Sequence, residues 1–407
     1  MSPAQKLNIP SDRLERLHYI RRMFAHAKGA DLALDWSGGR THAIRKLHAV
    51  DAAQYGRNRN FINGAVTHLS PYLRHGCISL SEAFAFVKKQ FGLQGDKLLM
   101  ELAWRDFWRQ VWLSKGNAIF SEMEPPKVHL EYQPLPDAIK QAQTGLPCMD
   151  SFISELFDTG YMHNHARMWF ASYVVHHLKV DWREAADWFE AHLLDGDFAS
   201  NHLSWQWVAS TFSSKPYYFN KENLERYTGG KYCATCTARC PFDASYEALN
   251  TRLFTPSVAA NSKQYPIKSL PMKAAHTFKA VAVFVHDEML SAQNPLLNKP
   301  YPKIFVFDPV LCGDWSLNRL QFVADCLHEM IDVEVWVGDT HAVLMQKGVG
   351  QVFTQVTPHL KLREMLAPFC PSWEPAPKLA NVRLSEQRLR RFSRYWEKVG
   401  PVLMMDV

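Results

Sequence analysis

The stretch KYCATCTARCPF, Lys231 to Phe242, places Cys233, Cys236 and Cys240 at intervals of three and four residues. Thiols this close together bind a metal ion, carry an iron–sulfur cluster, or stay free. The C-x2-C-x3-C-P run has the close spacing and trailing proline of ferredoxin-type sequences, and four thiolates also suit tetrahedral zinc. Either centre calls for a fourth ligand from elsewhere in the chain.

A second group of residues could face a flat, polar ligand. In ELAWRDFW, Glu101, Trp104, Arg105 and Trp108 share one face of a helix. The plain alternative is an amphipathic helix with a local Glu101–Arg105 ion pair. TGYMHNHARMW sets Asn164 and Met168 one turn apart with Arg167 beside them, and His163 reads as a buried, hydrogen-bonded histidine. In LLDGDFASNHLSWQWVAS, Asp195 and Asp197 flank a turn glycine, Asn201 follows, and Trp205 and Trp207 straddle Gln206. Such carboxylates cap a helix, or hold the hydroxyls or a protonated edge of a ligand.

Taken with YGRNRNFINGAVTHLSPYLRHG, Tyr55 to Gly76, these segments resemble the flavin-binding helical domain of the DNA photolyase and cryptochrome family, in the family's own order. The matching elements are Y-x-R-x-R, T-x-L-S-P-Y, E-x-x-W-R-x-F, M-H-N-x-x-R-M, D-W-R-E, and D-G-D with N-x-x-x-W-Q-W, and they cover roughly residues 15 to 212. The resemblance implies FAD as cofactor, with Tyr55, Thr67, Leu69 and Ser70 around its phosphates. Arg105, Arg167, Asp195, Asp197 and Asn201 would surround the ring and ribityl chain, Asn201 at flavin N5. It implies that Glu101, Trp104, Asn164, Met168 and Trp207 contact a pyrimidine dimer flipped out of UV-damaged DNA, and that Arg59 meets a phosphate. Trp205 and Trp182 match the first two members of an electron relay, and Tyr132 in LEYQP is the nearest candidate for the third. His68 replaces a serine, and His165 stands where several dimer-repair enzymes have arginine, which lowers the expected charge toward DNA.

From Lys215 onward the sequence resembles the iron–sulfur bacterial branch of that family, whose fourth cysteine precedes the histidine-bearing helix. This implies a four-iron four-sulfur cluster on Cys148, Cys233, Cys236 and Cys240. Members of that branch often repair the (6-4) lesion with a His-His pair. Here His163 is followed by Asn164, the form associated with cyclobutane dimers. Cys77, Cys312, Cys326 and Cys370 sit in apolar surroundings and read as core residues.

The elements that must position these residues follow from periodicity. From Ser11 to about Phe212 apolar residues recur at helical spacing, so this part reads as all-α. Residues 213–275 lack periodicity and read as a loop-rich cysteine segment and linker. Beyond them AVAVFVH, KIFVFDP and VEVWVGD read as strands, with WSLNRLQFVADCLHEM as a helix, which indicates βαβ units and a parallel sheet. The expected fold is therefore α + α/β: a photolyase-type helical FAD-binding domain (1–212), the cysteine segment (213–275), and a smaller Rossmann-like domain (276–407). The last part resembles the antenna domain that opens ordinary photolyases, which implies a circularly permuted order and a candidate site for an antenna chromophore of unassigned identity.

The bulk numbers agree with a globular protein: 407 residues, 47% hydrophobic, 21% charged, net charge +6. The opening residues carry no apolar signal core, and no long apolar run suggests a membrane span. A cytoplasmic monomer without a membrane partner is expected, with cysteines reduced or ligating. The expected activity is blue-light-driven splitting of cyclobutane pyrimidine dimers by reduced FAD. The alternatives are a cryptochrome-like photoreceptor acting on a signalling partner, and a (6-4) photolyase.

Overall fold

The computed structural model describes residues 4–254, 262–271, 273 and 278–405. The expected boundary at 275/276 lies outside the described residues. The chain divides into two compact units, neither continuous in sequence: residues 1–50, 68–85 and 267–379 form one, and 51–67, 86–266 and 380–407 the other. Among the described residues no helix is long and apolar enough to cross a membrane.

The first unit is built on a six-stranded sheet of β1 (Gln5–Leu7), β2 (Ala280–Val285), β3 (Lys303–Phe307), β4 (Val333–Val337), β5 (Val349–Gln355) and β6 (Ser372–Glu374), in the order β1-β4-β3-β2-β5-β6. All neighbours run parallel except β1, which pairs antiparallel with β4. The β-branched and aromatic runs read from the sequence are β2, β3 and β4. They are apolar because helices cover both faces of such a sheet, and Ala282, Phe284, Ile304, Val306 and Val352 lie in its core. The chain winds outward from β2 through β3 to β4, then crosses back to β5 and β6, a doubly wound order. The helix expected in WSLNRLQFVADCLHEM spans Leu317–His328 and is buried from Leu317 to Leu327. Its buried Asp325 is held by Arg16 at 2.7 Å and Arg13 at 3.3 Å.

The second unit is helical. Its site-bearing helices are α1 (Asp96–Lys115), α2 (Pro147–Thr159), α3 (Asn164–Ser172), α4 (Trp182–His192), α5 (Phe198–Ala209) and α6 (Phe392–Met404). Local signals set their ends. Pro147 opens α2, and Gly160 closes it in the left-handed conformation at φ 67°. Asp181 and Asp197 cap α4 and α5 by accepting from the backbone N–H of Arg183 (3.0 Å) and Ser200 (2.7 Å). Phe152, Ile153, Trp169, Phe170, Trp182, Phe189 and Trp205 form much of the core between them.

The loop-rich cysteine segment carries two short helices, Lys221–Thr228 and Tyr246–Leu253, capped by Asn220 and Ser245. One expectation needs correction here. Cys77, Cys312 and Cys326 are buried, but Cys370 is exposed, at a left-handed residue (φ 40°) after the turn Ala367–Phe369. A turn puts its side chain outward despite apolar neighbours in sequence.

Candidate functional site

Four elements of the helical unit bring together five of the residues expected around the flavin ring. Arg105 on α1 pairs with Asp197 at 2.5 Å, and Arg167 on α3 pairs with Asp195 at 3.4 Å. Gly196, at φ 38°, lets the chain turn between the two carboxylates. Asn201 is 8% exposed, donates to the Ala186 carbonyl (2.8 Å) and accepts from Trp205 Nε1 (3.1 Å). Its amide is thus fixed in orientation, with one N–H beyond the bond to Ala186. Partly buried ion pairs add little net stability, because desolvation offsets their attraction. A cluster of two such pairs and an oriented amide is better explained by a polar ligand, and the donor set suits a flavin ring edge and ribityl chain.

Glu101 does not pair with Arg105. It lies 3.6 Å from Arg59 and 3.3 Å from Lys97, so Arg59, expected at a phosphate, here bears on a carboxylate. The Arg59 guanidinium also lies over the ring of Tyr55, whose hydroxyl is pushed well above its ordinary pKa by burial. Thr67 belongs to the same unit, whereas Leu69 and Ser70 fall in the sheet unit. There His68 takes the left-handed conformation at φ 52° and meets the Trp36 ring edge-on.

The residues expected to face a lesion keep partly exposed side chains: Glu101, Trp104, Met168 and Trp207 are half-buried, and Asn164, first in α3, is exposed. Two of the indoles already have aromatic neighbours. Trp104 stacks on Phe392 of α6 at 4.0 Å and 10°, and Trp207 lies 5.5 Å from Tyr217. His163 is buried and caps α3, its Nδ1 accepting from His165 N–H at 3.1 Å. His165 is buried against Trp169, ring centroids 4.5 Å apart, and burial pushes its pKa down to about 4. It is a neutral interior group.

The four expected cluster ligands line one cavity of about 430 Å³. Cys148 comes from the first turn of α2, the other three from the loop, and Lys221, Arg239 and Arg252 line the same space. Asp243 also lines it and pairs with Lys221 at 3.0 Å, so the lining other than the thiols carries two more cations than anions, which suits an anionic occupant. Burial pushes the thiol of Cys148 up to about 12 and that of Cys233 to about 11. A metal must therefore offset desolvation to hold them as thiolates. Among the described residues no three His, Cys, Asp or Glu side chains converge on a single ion.

Residues 98–276 match a family described as the FAD binding domain of DNA photolyase. Residues 98–276 belong to the photolyase/cryptochrome family. The chain is 41% identical over 150 residues to a deoxyribodipyrimidine photo-lyase of Streptomyces griseus, covering 36% of this chain and 32% of that protein. It is 34% identical over 191 residues to a chloroplastic/mitochondrial cryptochrome DASH of Solanum lycopersicum, covering 43% and 33%. A solved bacterial class III photolyase from Agrobacterium tumefaciens is similar at 28% identity and a TM-score of 0.45, over 53% of this chain and 50% of that one. The chain spans 32% to 42% of the length of the first curated relatives it matches.

Within this photolyase/cryptochrome region Trp205 and Trp182 are 3% and 1% exposed, deep in the helical core. Tyr132 is half-buried, and its hydroxyl donates to Glu122 at 2.6 Å. Sequence reading missed the residues beside it. Tyr265 lies 5.9 Å from the Trp182 ring and donates to Asp181 at 2.5 Å, and Lys263 lies over both tyrosine rings. Nothing periodic marks Tyr265 in the sequence. Its one signal is an isolated aromatic in an otherwise polar linker, NSKQYP. Phe392 was missed as well, because its helix is read from the sequence without its partner.

Proposed function

We propose that the chain is a blue-light-driven DNA repair flavoprotein that splits cyclobutane pyrimidine dimers. The observation that carries this reading is the convergence of Arg105–Asp197, Arg167–Asp195 and the oriented Asn201 in a region of photolyase type. Reduced FAD, when bound, supplies the light-driven electron. Arg105 and Arg167 hold the carboxylates beside the ring edge and ribityl hydroxyls, and Asn201 presents an amide N–H to the ring. Glu101 and Asn164 are placed to meet base edges, and Trp104 and Trp207 offer faces for a flipped base. Trp182 and Trp205 relay electrons inward when the cofactor must be reduced.

The cysteine cavity supports a four-iron four-sulfur cluster in the same unit: four thiols from two segments line it, with cations around them. The doubly wound sheet, five of whose strands follow residue 276, supports the permuted order in which an antenna-like part comes after the flavin-binding part.

A second reading, a photoreceptor that signals instead of repairing, is favoured by one observation. Phe392 stacks on one face of Trp104, an indole expected to meet a flipped base. One assay decides between them. Reduced, flavin-loaded protein is illuminated with an oligonucleotide carrying a single thymine dimer, and thymine recovery is followed by chromatography. Recovery that requires light supports repair; none, with the flavin spectrum intact, leaves the photoreceptor.

A further inference from the structure

We propose that Tyr265, with Asp181 as its proton acceptor, is the terminal electron donor to Trp182. The inference rests on the reading of Trp182 and Trp205 as a relay. At 1% exposure Trp182 cannot meet a reductant from solvent, so an electron must reach it through a neighbouring side chain. Tyr265 is that neighbour: it is half-buried, and its ring meets the indole edge-on at 5.9 Å and 74°.

The hydroxyl geometry equips Tyr265 for the task. A phenol that loses an electron becomes a strong acid, so a poised base lowers the cost of oxidation. Tyr265 Oη donates to Asp181 Oδ1 at 2.5 Å, and the second carboxylate oxygen, Oδ2, holds Lys263 Nζ at 2.6 Å. Lys263 lies 4.8 Å and Arg183 5.7 Å from the ring centre. Two cations at that range oppose a positive charge on the ring, so the oxidised tyrosine is driven to its neutral, deprotonated form.

The step balances. One electron passes from Tyr265 to the oxidised, cationic Trp182, and the hydroxyl proton passes to Asp181. The products are a neutral indole, a neutral tyrosyl radical and a protonated carboxyl, with net charge unchanged. The oxidising equivalent comes from the light-excited flavin of the proposed function, and a thiol or ascorbate in solvent returns an electron to Tyr265 while Asp181 gives back the proton. Tyr132 with Glu122 stands on the other side of Lys263 and is the competing exit.

Laser-flash absorption of the flavin-loaded full chain, which draws the electron from the buried Trp182 from within, tests the assignment by the identity of the radicals formed. Tryptophan radical absorption should decay into the tyrosyl band in the parent protein and in Tyr132→Phe, and that conversion should be lost in Tyr265→Phe. Asp181→Asn, which keeps a helix-capping side chain, should make tyrosyl formation depend on buffer base concentration. Conversion retained in Tyr265→Phe, or lost only in Tyr132→Phe, overturns the proposal. Conversion that depends on Tyr265 in a protein that repairs no dimer supports Tyr265 and counts against the repair reading alone.

Discussion

The indole of Trp104 and the ring of Phe392 are stacked, 4.0 Å apart and within 10° of parallel. The contact is reinforced along α6 and the segment that leads into it. Tyr395 donates to the buried Asp106 at 2.5 Å, Arg391 grips Glu124 with bonds of 2.6 and 2.8 Å, and Lys115 reaches Glu386 at 3.0 Å. An aromatic ring on that face has the geometry of a stacked base.

If Phe392 competes with a flipped base for Trp104, Phe392→Ala should tighten binding of a dimer-containing oligonucleotide. Base stacking is worth about 1–3 kcal/mol, so a gain of roughly tenfold is expected. Fluorescence anisotropy against the undamaged oligonucleotide measures it. Unchanged affinity would mean that the base approaches by another face.

Removing a carboxylate beside the proposed flavin should cost both ligand and stability. Asp197→Ala leaves Arg105 without its 2.5 Å partner and removes the cap of α5. A loss of about 2–4 kcal/mol is expected from the broken pair and the cap together. Melting temperature and the flavin retained through gel filtration report the two effects, and Asp197→Asn should recover most of the capping share.

Cys148→Ala should abolish bound iron and sulfide and the broad visible absorption of an iron–sulfur centre, leaving only flavin bands. Iron and acid-labile sulfide assays separate this outcome from zinc, which would bind without colour. Because the thiol lies in the first turn of α2 and lines the cavity, its loss should also lower the melting temperature.

Stability should fall on mild acidification. Burial lowers the pKa of His165 and His176 to about 4, below the unfolded value of 6.5. The unfolded chain therefore takes up protons that the folded chain refuses. The stability these neutral imidazoles contribute is whole above about pH 6.5 and is lost as pH falls toward about 4, by as much as roughly 3 kcal/mol each. Thermal melts between pH 7.5 and 4.5 should show the decline, and His165→Phe should flatten part of it. A melting temperature constant over that range would contradict the assignment.

How far the sequence reaches depends on how local the determinant is. The runs at β2, β3 and β4 are legible because a strand buried on both faces must be apolar throughout. β1 and β6, three residues each, are set by pairing with a distant strand and leave no local pattern. The apolar pattern of β5 is interrupted by Gly350, where an added Cβ would meet the Phe278 carbonyl at 1.7 Å. The grouping of Cys148 with the 233–240 thiols was foreseeable from the family resemblance, and so was the grouping of Arg105, Arg167, Asp195 and Asp197, but not that the arginines pair with the aspartates. The Trp104–Phe392 stack joins residues far apart in the chain, and Tyr265 owes its place to a hydrogen bond with a helix cap. Neither relation has a periodicity to betray it.

The interleaving of the two units bears on how the polypeptide is made and re-engineered. Each is stitched from three segments, and the helical one includes 380–407. A nascent chain leaving the ribosome cannot finish the helical unit until Phe392 and Tyr395 have emerged, long after Trp104 and Asp106. No single scission divides the protein into autonomous modules, so grafting one half onto a foreign scaffold will require transplanting all of its strands of sequence together.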